Sequence, residues 1–178
     1  PYALDCPAPN IRTRAQAALE DFERAHDIDS KNSEILLFEG ITDWKLGRFD
    51  EAARNFRHGP DSSAYYFIWE YLADAKRNRI SHDLAEDAAK VKTTDWPVAV
   101  VHLFAGSAQP QAVFDASAQG DQFTRSQQTC EADFYVGEWK LAQGDAAGGK
   151  ELLTKAANDC LTDAVELNAA KTELGRLP

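Results

Sequence analysis

The apolar positions of this chain recur at helical spacing. In "SEILLFEGITDWKLGRFDEAARNF" (33–56), Leu36 and Gly40 lie on one face of a first helix and Gly47 marks its end. Phe49 opens a second helix whose inner face carries Ala52 and Phe56. Leu36, Phe49 and Phe56 have the spacing that fills a seam between two helices. Gly40 and Ala52 keep bulk out of that seam where the helices approach. Gly47 is placed to take a positive φ just past the first helix, as a C-cap. The stretch "CEADFYVGEWKLAQGD" (130–145) and the residues after it repeat the pattern. Gly137 stands where Gly40 does, Gly144 where Gly47 does, and Leu153 and Ala156 take the later core positions.

Between these copies, "SAYYFIWEYLADAKRNRISHDLAEDAAKV" (63–91) and "TDWPVAVVHLFAGSAQPQAVFDAS" (94–117) each read as helix, short turn, helix. "AVELNAAKTELGRL" (164–177) reads as one last amphipathic helix. No segment alternates with the period of a strand. Residues 1–10 contain proline and show no periodicity, so they are expected to form an extended arm. The expectation is an all-α chain of nine or ten helices, with one domain over 11–178.

The two clear hairpins also carry a repeat. Ala18 and Ala52 are 34 residues apart, as are Phe22 and Phe56. With Leu36, Gly40, Gly47, Phe49, Ala52 and Phe56, this resembles the tetratricopeptide repeat, whose unit is two antiparallel helices. The resemblance implies a right-handed α-solenoid with repeats at about 11–32 (partial), 33–62, 63–92, 93–129 and 130–163, and a C-terminal capping helix over 164–177. Equivalent positions at Gly40, Glu70, Val100, Gly137 and Lys171 are 30, 30, 37 and 34 residues apart, so the middle repeats are irregular. Another α-solenoid with irregular middle repeats is the runner-up. In such a stack the first helices line a concave groove. The residues expected there are Glu34, Leu37, Ile41, Trp44 and Lys45, then Ala64, Phe67, Tyr71, Asp74 and Ala75, then Glu131, Phe134, Glu138, Leu141 and Ala142. Trp44, Phe67, Tyr71 and Phe134 are the expected apolar anchors. The alternative is that these rings pack against neighbouring repeats or the arm. Leu37, Ile41, Phe67, Tyr71, Phe134 and Glu138 stand where family members that clamp chaperone C-termini carry Lys and Asn, so no carboxylate clamp is expected.

The second half is also similar in layout to NlpI-like lipoproteins. That similarity rests on "DWPVAVVHLFAG", "FYVGEWKLAQGD" and the helix beginning near Ala164. It implies a periplasmic scaffold without catalysis of its own, partnered with envelope hydrolases or proteases.

Composition narrows the field further. A net charge of −10 with no basic cluster beyond "AKRNR" (75–79) disfavours nucleic acid and favours a protein or peptide partner, a basic one most easily. No apolar run approaches the roughly 20 residues that a membrane-spanning helix needs. The chain contains no methionine and begins at Pro1, so it is expected to be processed or cut from a longer protein, whose other segment would hold any signal or membrane anchor. Asp5 makes Cys6 a poor lipidation site.

Candidate chemistry is sparse. His26, His58, His82 and His102 are scattered, and His102 reads as a groove-lining or core residue. "DIDSKNSE" (27–34) superficially suggests a calcium loop, but Lys31 occupies a ligand position and the turn glycine is absent. It reads as a repeat boundary, with Asp29 or Ser30 near the next helix start. Glu131 and Asp133 beside Cys130 would raise a thiol pKa, against its use as a nucleophile. Cys130, at the expected start of one helix, and Cys160, after the end of its antiparallel partner, come within reach of a disulfide. Two inert buried thiols are the alternative. The pairing would mark an oxidising compartment, here the periplasm, and would leave Cys6 unpaired or bridged to another chain. The functional expectation is a non-catalytic binding scaffold or adaptor of the bacterial envelope, with no cofactor or metal. The alternatives are an enzyme with an unrecognised Cys/His site and a structural module of a longer chain.

Overall fold

The computed structural model describes residues 11–30, 32–80, 83–162 and 164–178, without the side chains of residues 11 and 12. The arm expected over 1–10, Cys6 included, lies outside the described residues. Among the described residues there are ten helices and no strand. They are α1 (Ile11–Ile28), α2 (Ser33–Leu46), α3 (Phe49–Arg57), α4 (Ala64–Lys76), α5 (Leu84–Lys90), α6 (Val98–Phe104), α7 (Pro110–Ser117), α8 (Gln122–Ala142), α9 (Ala146–Asp159) and α10 (Val165–Leu174).

Local chemistry sets the helix ends. Asn32, rather than Asp29 or Ser30, caps α2: its side chain accepts from the Glu34 amide at 3.1 Å. Asp121 and Asp145 cap α8 and α9 in the same way, through the amides of Thr124 (2.8 Å) and Gly148 (2.9 Å). Gly47 at φ 81° and Gly144 at φ 84° end α2 and α8 in the left-handed conformation. α2 then meets α3 closely enough that a Cβ on Gly40 would fall 2.5 Å from the Phe56 ring. In the α8–α9 hairpin the backbones themselves approach, and a Cβ on Gly149 would lie 2.9 Å from the Gly137 carbonyl oxygen.

Each helix packs largely on its neighbours in sequence, but α10 also reaches back to α2 and α8. One continuous core runs through α2, α3, α4, α6, α7, α8, α9 and α10. At its centre the Trp44 ring meets Phe49, Trp69 and Phe134 edge-on, with centroids 6.2, 5.6 and 6.2 Å away. The Arg176 guanidinium, just past α10, donates to the carbonyls of Trp44 (2.9 Å) and Lys45 (2.8 Å) at the end of α2. Lys76 at the end of α4 pairs with Glu138 of α8 (2.8 Å) and with Glu173 of α10.

One expected boundary differs. α8 begins at Gln122, so Cys130 lies two turns inside the helix instead of at its start. Asp121 supplies the cap, and the polar stretch that reads as linker continues the helix beyond the hairpin. Cys160 still follows α9 directly, and the two cysteines are joined with Cα atoms 5.0 Å apart.

Closing a loop with a sequence separation of 30 stabilises by about 3–4 kcal/mol on the chain-entropy model. The Cys130→Ala/Cys160→Ala double variant is expected to lose about that much in urea unfolding. The wild-type chain should titrate at most one free thiol under denaturing, non-reducing conditions; three would refute the bridge.

Candidate functional site

The four rings expected at a groove face inward. Trp44 and Phe134 are fully buried, Tyr71 is 3% exposed and Phe67 9%. Tyr71 stacks on Phe104 with centroids 4.2 Å apart, and Trp44 is enclosed by Phe49, Trp69, Phe134 and the cations Lys76 and Arg176. The reason is convergence: the end of α10 packs against α2 and α8 and covers Trp44, while α6 packs on α4 and covers Tyr71. Two expected acidic contacts are likewise internal. Asp74 accepts from Arg57 at 2.8 and 2.7 Å and from Arg77 at 2.6 Å, and Glu138 holds Lys76. Ala64 is also buried, Lys45, Ala75 and Leu141 are half-buried, and Glu34 and Ala142 are exposed. His102 is exposed on α6 instead of lying in the core. Cys130, being bridged, offers no thiolate.

Three expected residues do come together. Leu37, Ile41 and Glu131 line a cavity of about 340 Å³ between α2, α4, α8 and the α9–α10 connection. Apolar walls come from α2, from Tyr65 and Trp69 of α4, and from Val165 of α10. The carboxylates of Glu131 and Glu166, at 4% and 7% exposure, lie at its deep end. Glu131 Oε2 accepts from Trp96 Nε1 at 2.9 Å and from Tyr65 Oη at 3.1 Å. Glu166 Oε1 accepts from Tyr135 Oη at 2.8 Å. The donors are an indole and two phenols, with the Gln127 side chain also hydrogen-bonded to Glu131. Among the described residues no cation lies within ion-pair distance of either carboxylate, and Lys45 acts on Glu166 only through space.

The mouth of the cavity is apolar. Four large hydrophobic side chains are exposed among the described residues, and three of them, Phe38, Phe123 and Leu161, stand at this mouth. No protein-family model matches the chain, and no curated protein matches it. The tetratricopeptide and NlpI-like resemblances therefore rest on the residues that carry them.

Phe38, Tyr65, Trp69, Phe123, Leu161, Val165 and Glu166 are among the lining residues that sequence reasoning missed. One signal was present. "ILLF" (35–38) wraps apolar residues around more of α2 than one buried stripe can use, so part of it must face outward. Phe123 sits on the stretch of α8 that reads as linker, and its position had no such signal.

Burial, with Glu166 nearby, raises the Glu131 pKa to about 7 against the hydrogen bonds from Trp96, Tyr65 and Gln127. Burial also raises Glu166. Elsewhere, burial lifts Asp43 to about 7 despite Arg48, and Asp133 to about 6 despite Lys155. A carboxylate raised on folding binds a proton more tightly in the native state. Its contribution is full below the unfolded pKa and is lost as pH rises through the folded one.

The melting temperature is therefore expected to be higher, by about 3 °C or more, near pH 5.5 than near pH 8. Glu131→Gln should flatten part of that slope in a calorimetric pH series. Trp44→Ala, as a core truncation, should cost about 3–5 kcal/mol, read as a lowered urea midpoint, whereas Phe123→Ser at the mouth should leave the midpoint nearly unchanged.

Proposed function

We propose that this chain is a non-catalytic binding module of the bacterial envelope that engages a protein or peptide through the cavity between α2, α4 and α8. The observation that carries this reading is the clustering of Phe38, Phe123 and Leu161 at one cavity mouth. Exposed apolar side chains concentrated at a concave site favour association, whereas the same residues scattered singly need no explanation. The glycine-matched α2–α3 and α8–α9 hairpins support an irregular tetratricopeptide-like stack with α10 as its cap, in which the rigid helices hold the mouth in place. The Cys130–Cys160 bridge favours an oxidising compartment, which in a bacterium is the periplasm. Among the described residues no helix is long and apolar enough to cross a membrane. By the NlpI-like layout, envelope hydrolases and proteases are the first partners to try.

Photo-crosslinking tests the location. With benzoylphenylalanine at position 123, an envelope preparation should give discrete protein adducts. The same probe at the exposed Lys155 of α9 should not. Adducts of equal yield at both positions, or none at 123, would overturn the assignment.

A further inference from the structure

The cavity's depth and its mouth differ in chemistry, and together they specify an occupant. Resting on the binding role just proposed, we infer that the cavity is a subsite for a lysine or arginine side chain of a protein partner, flanked in that partner by apolar residues. The cationic head would reach Glu131 and Glu166 while its alkyl stem lies along Leu37, Ile41 and Val165, and the flanking residues would cover Phe38, Phe123 and Leu161.

Three considerations exclude other occupants. An anionic ligand would meet two buried carboxylates. A wholly apolar one would dehydrate both of them further while supplying no hydrogen bond or countercharge. A small free amine could satisfy the carboxylates, but Phe123, 65% exposed, and its two neighbours at the mouth would stay in water. A basic side chain with apolar neighbours meets both parts of the site. The acceptors are available to it: no side chain among the described residues donates to Glu166 Oε2, and the groups that touch both carboxylates are neutral donors, Lys45 acting on Glu166 only through space. The rings of Tyr65 and Trp69 in the wall would further favour a cation over its uncharged isostere.

A random peptide library displayed on phage and panned on the oxidised wild-type protein supplies the probe. Enriched peptides are expected to carry Arg or Lys next to apolar residues and to lose binding to Phe123→Ser. In a synthetic copy of such a peptide, replacing the basic residue with its uncharged isostere (citrulline for arginine, norleucine for lysine) should weaken binding by about tenfold or more. Because that comparison uses the wild-type protein, it does not depend on any variant folding. The Glu131→Gln/Glu166→Gln variant, which keeps an acceptor for each phenol and indole, should bind the charged and uncharged peptides alike. Enriched peptides that need Phe123 but carry no basic residue, or for which the isostere costs less than about twofold, would overturn the cationic subsite and leave the binding role standing. Failure to enrich any peptide sensitive to Phe123→Ser would overturn both.

Discussion

The guanidinium of Arg176 is the point on which the closure of this fold depends. The last carbonyls of any helix lack intrahelical donors. At the end of α2 two of them, on Trp44 and Lys45, accept from a side chain at the far end of the chain. The same guanidinium lies 5.0 Å from the centre of the Trp44 ring and 5.2 Å from that of Phe49, and pairs with Glu173 at 3.0 Å. The Gly47 amide caps the Trp44 carbonyl locally, at 3.0 Å, and the Lys45 carbonyl gains its donor once the end of α10 has docked. Lys76, shared between Glu138 and Glu173, ties α4 and α8 into the same junction. Together these contacts turn a succession of neighbouring hairpins into a closed arrangement.

Closure explains the distribution of buried charge. Asp43 lies 3.1 Å from Arg48, Asp74 holds Arg57 and Arg77, and Glu138 and Glu173 share Lys76. Each of these carboxylates lies within ion-pair distance of a cation, and several of the pairs join helices. Glu131 and Glu166 are equally buried but are held by tyrosine and tryptophan donors. What sets Glu131 and Glu166 apart is that they hold neutral donors and line one cavity together.

Much of the scaffold was legible in the sequence because its determinants are local. Gly47 and Gly144 mark turns through a conformation that glycine adopts readily, and Gly40 and Gly137 mark close approach of paired helices. The cysteine pairing followed from hairpin geometry even though α8 starts two turns earlier than expected. The interior position of Trp44 was not legible. A helical period says which side chains share a face, but not which distant helix will cover it, and Trp44 is covered by side chains from α4, α8 and the α10 end. The cavity was half-legible for the same reason. Leu37, Ile41 and Glu131 followed from the register of the first helices, whereas Tyr65, Leu161 and Glu166 reach it only through the way the helices converge.

The bridge between Cys130 and Cys160 has a mechanical consequence. Tension applied to the two ends of the chain passes directly from α8 to the start of the α10 segment and bypasses α9 altogether. The intervening residues, a sequence separation of 30, would contribute roughly 100 Å of extended chain if the hairpin could be pulled open. With the sulfurs joined, none of that length can be released. In a chain pulled from both ends, α9 would therefore carry no tension even as the helices outside the bridge were drawn out.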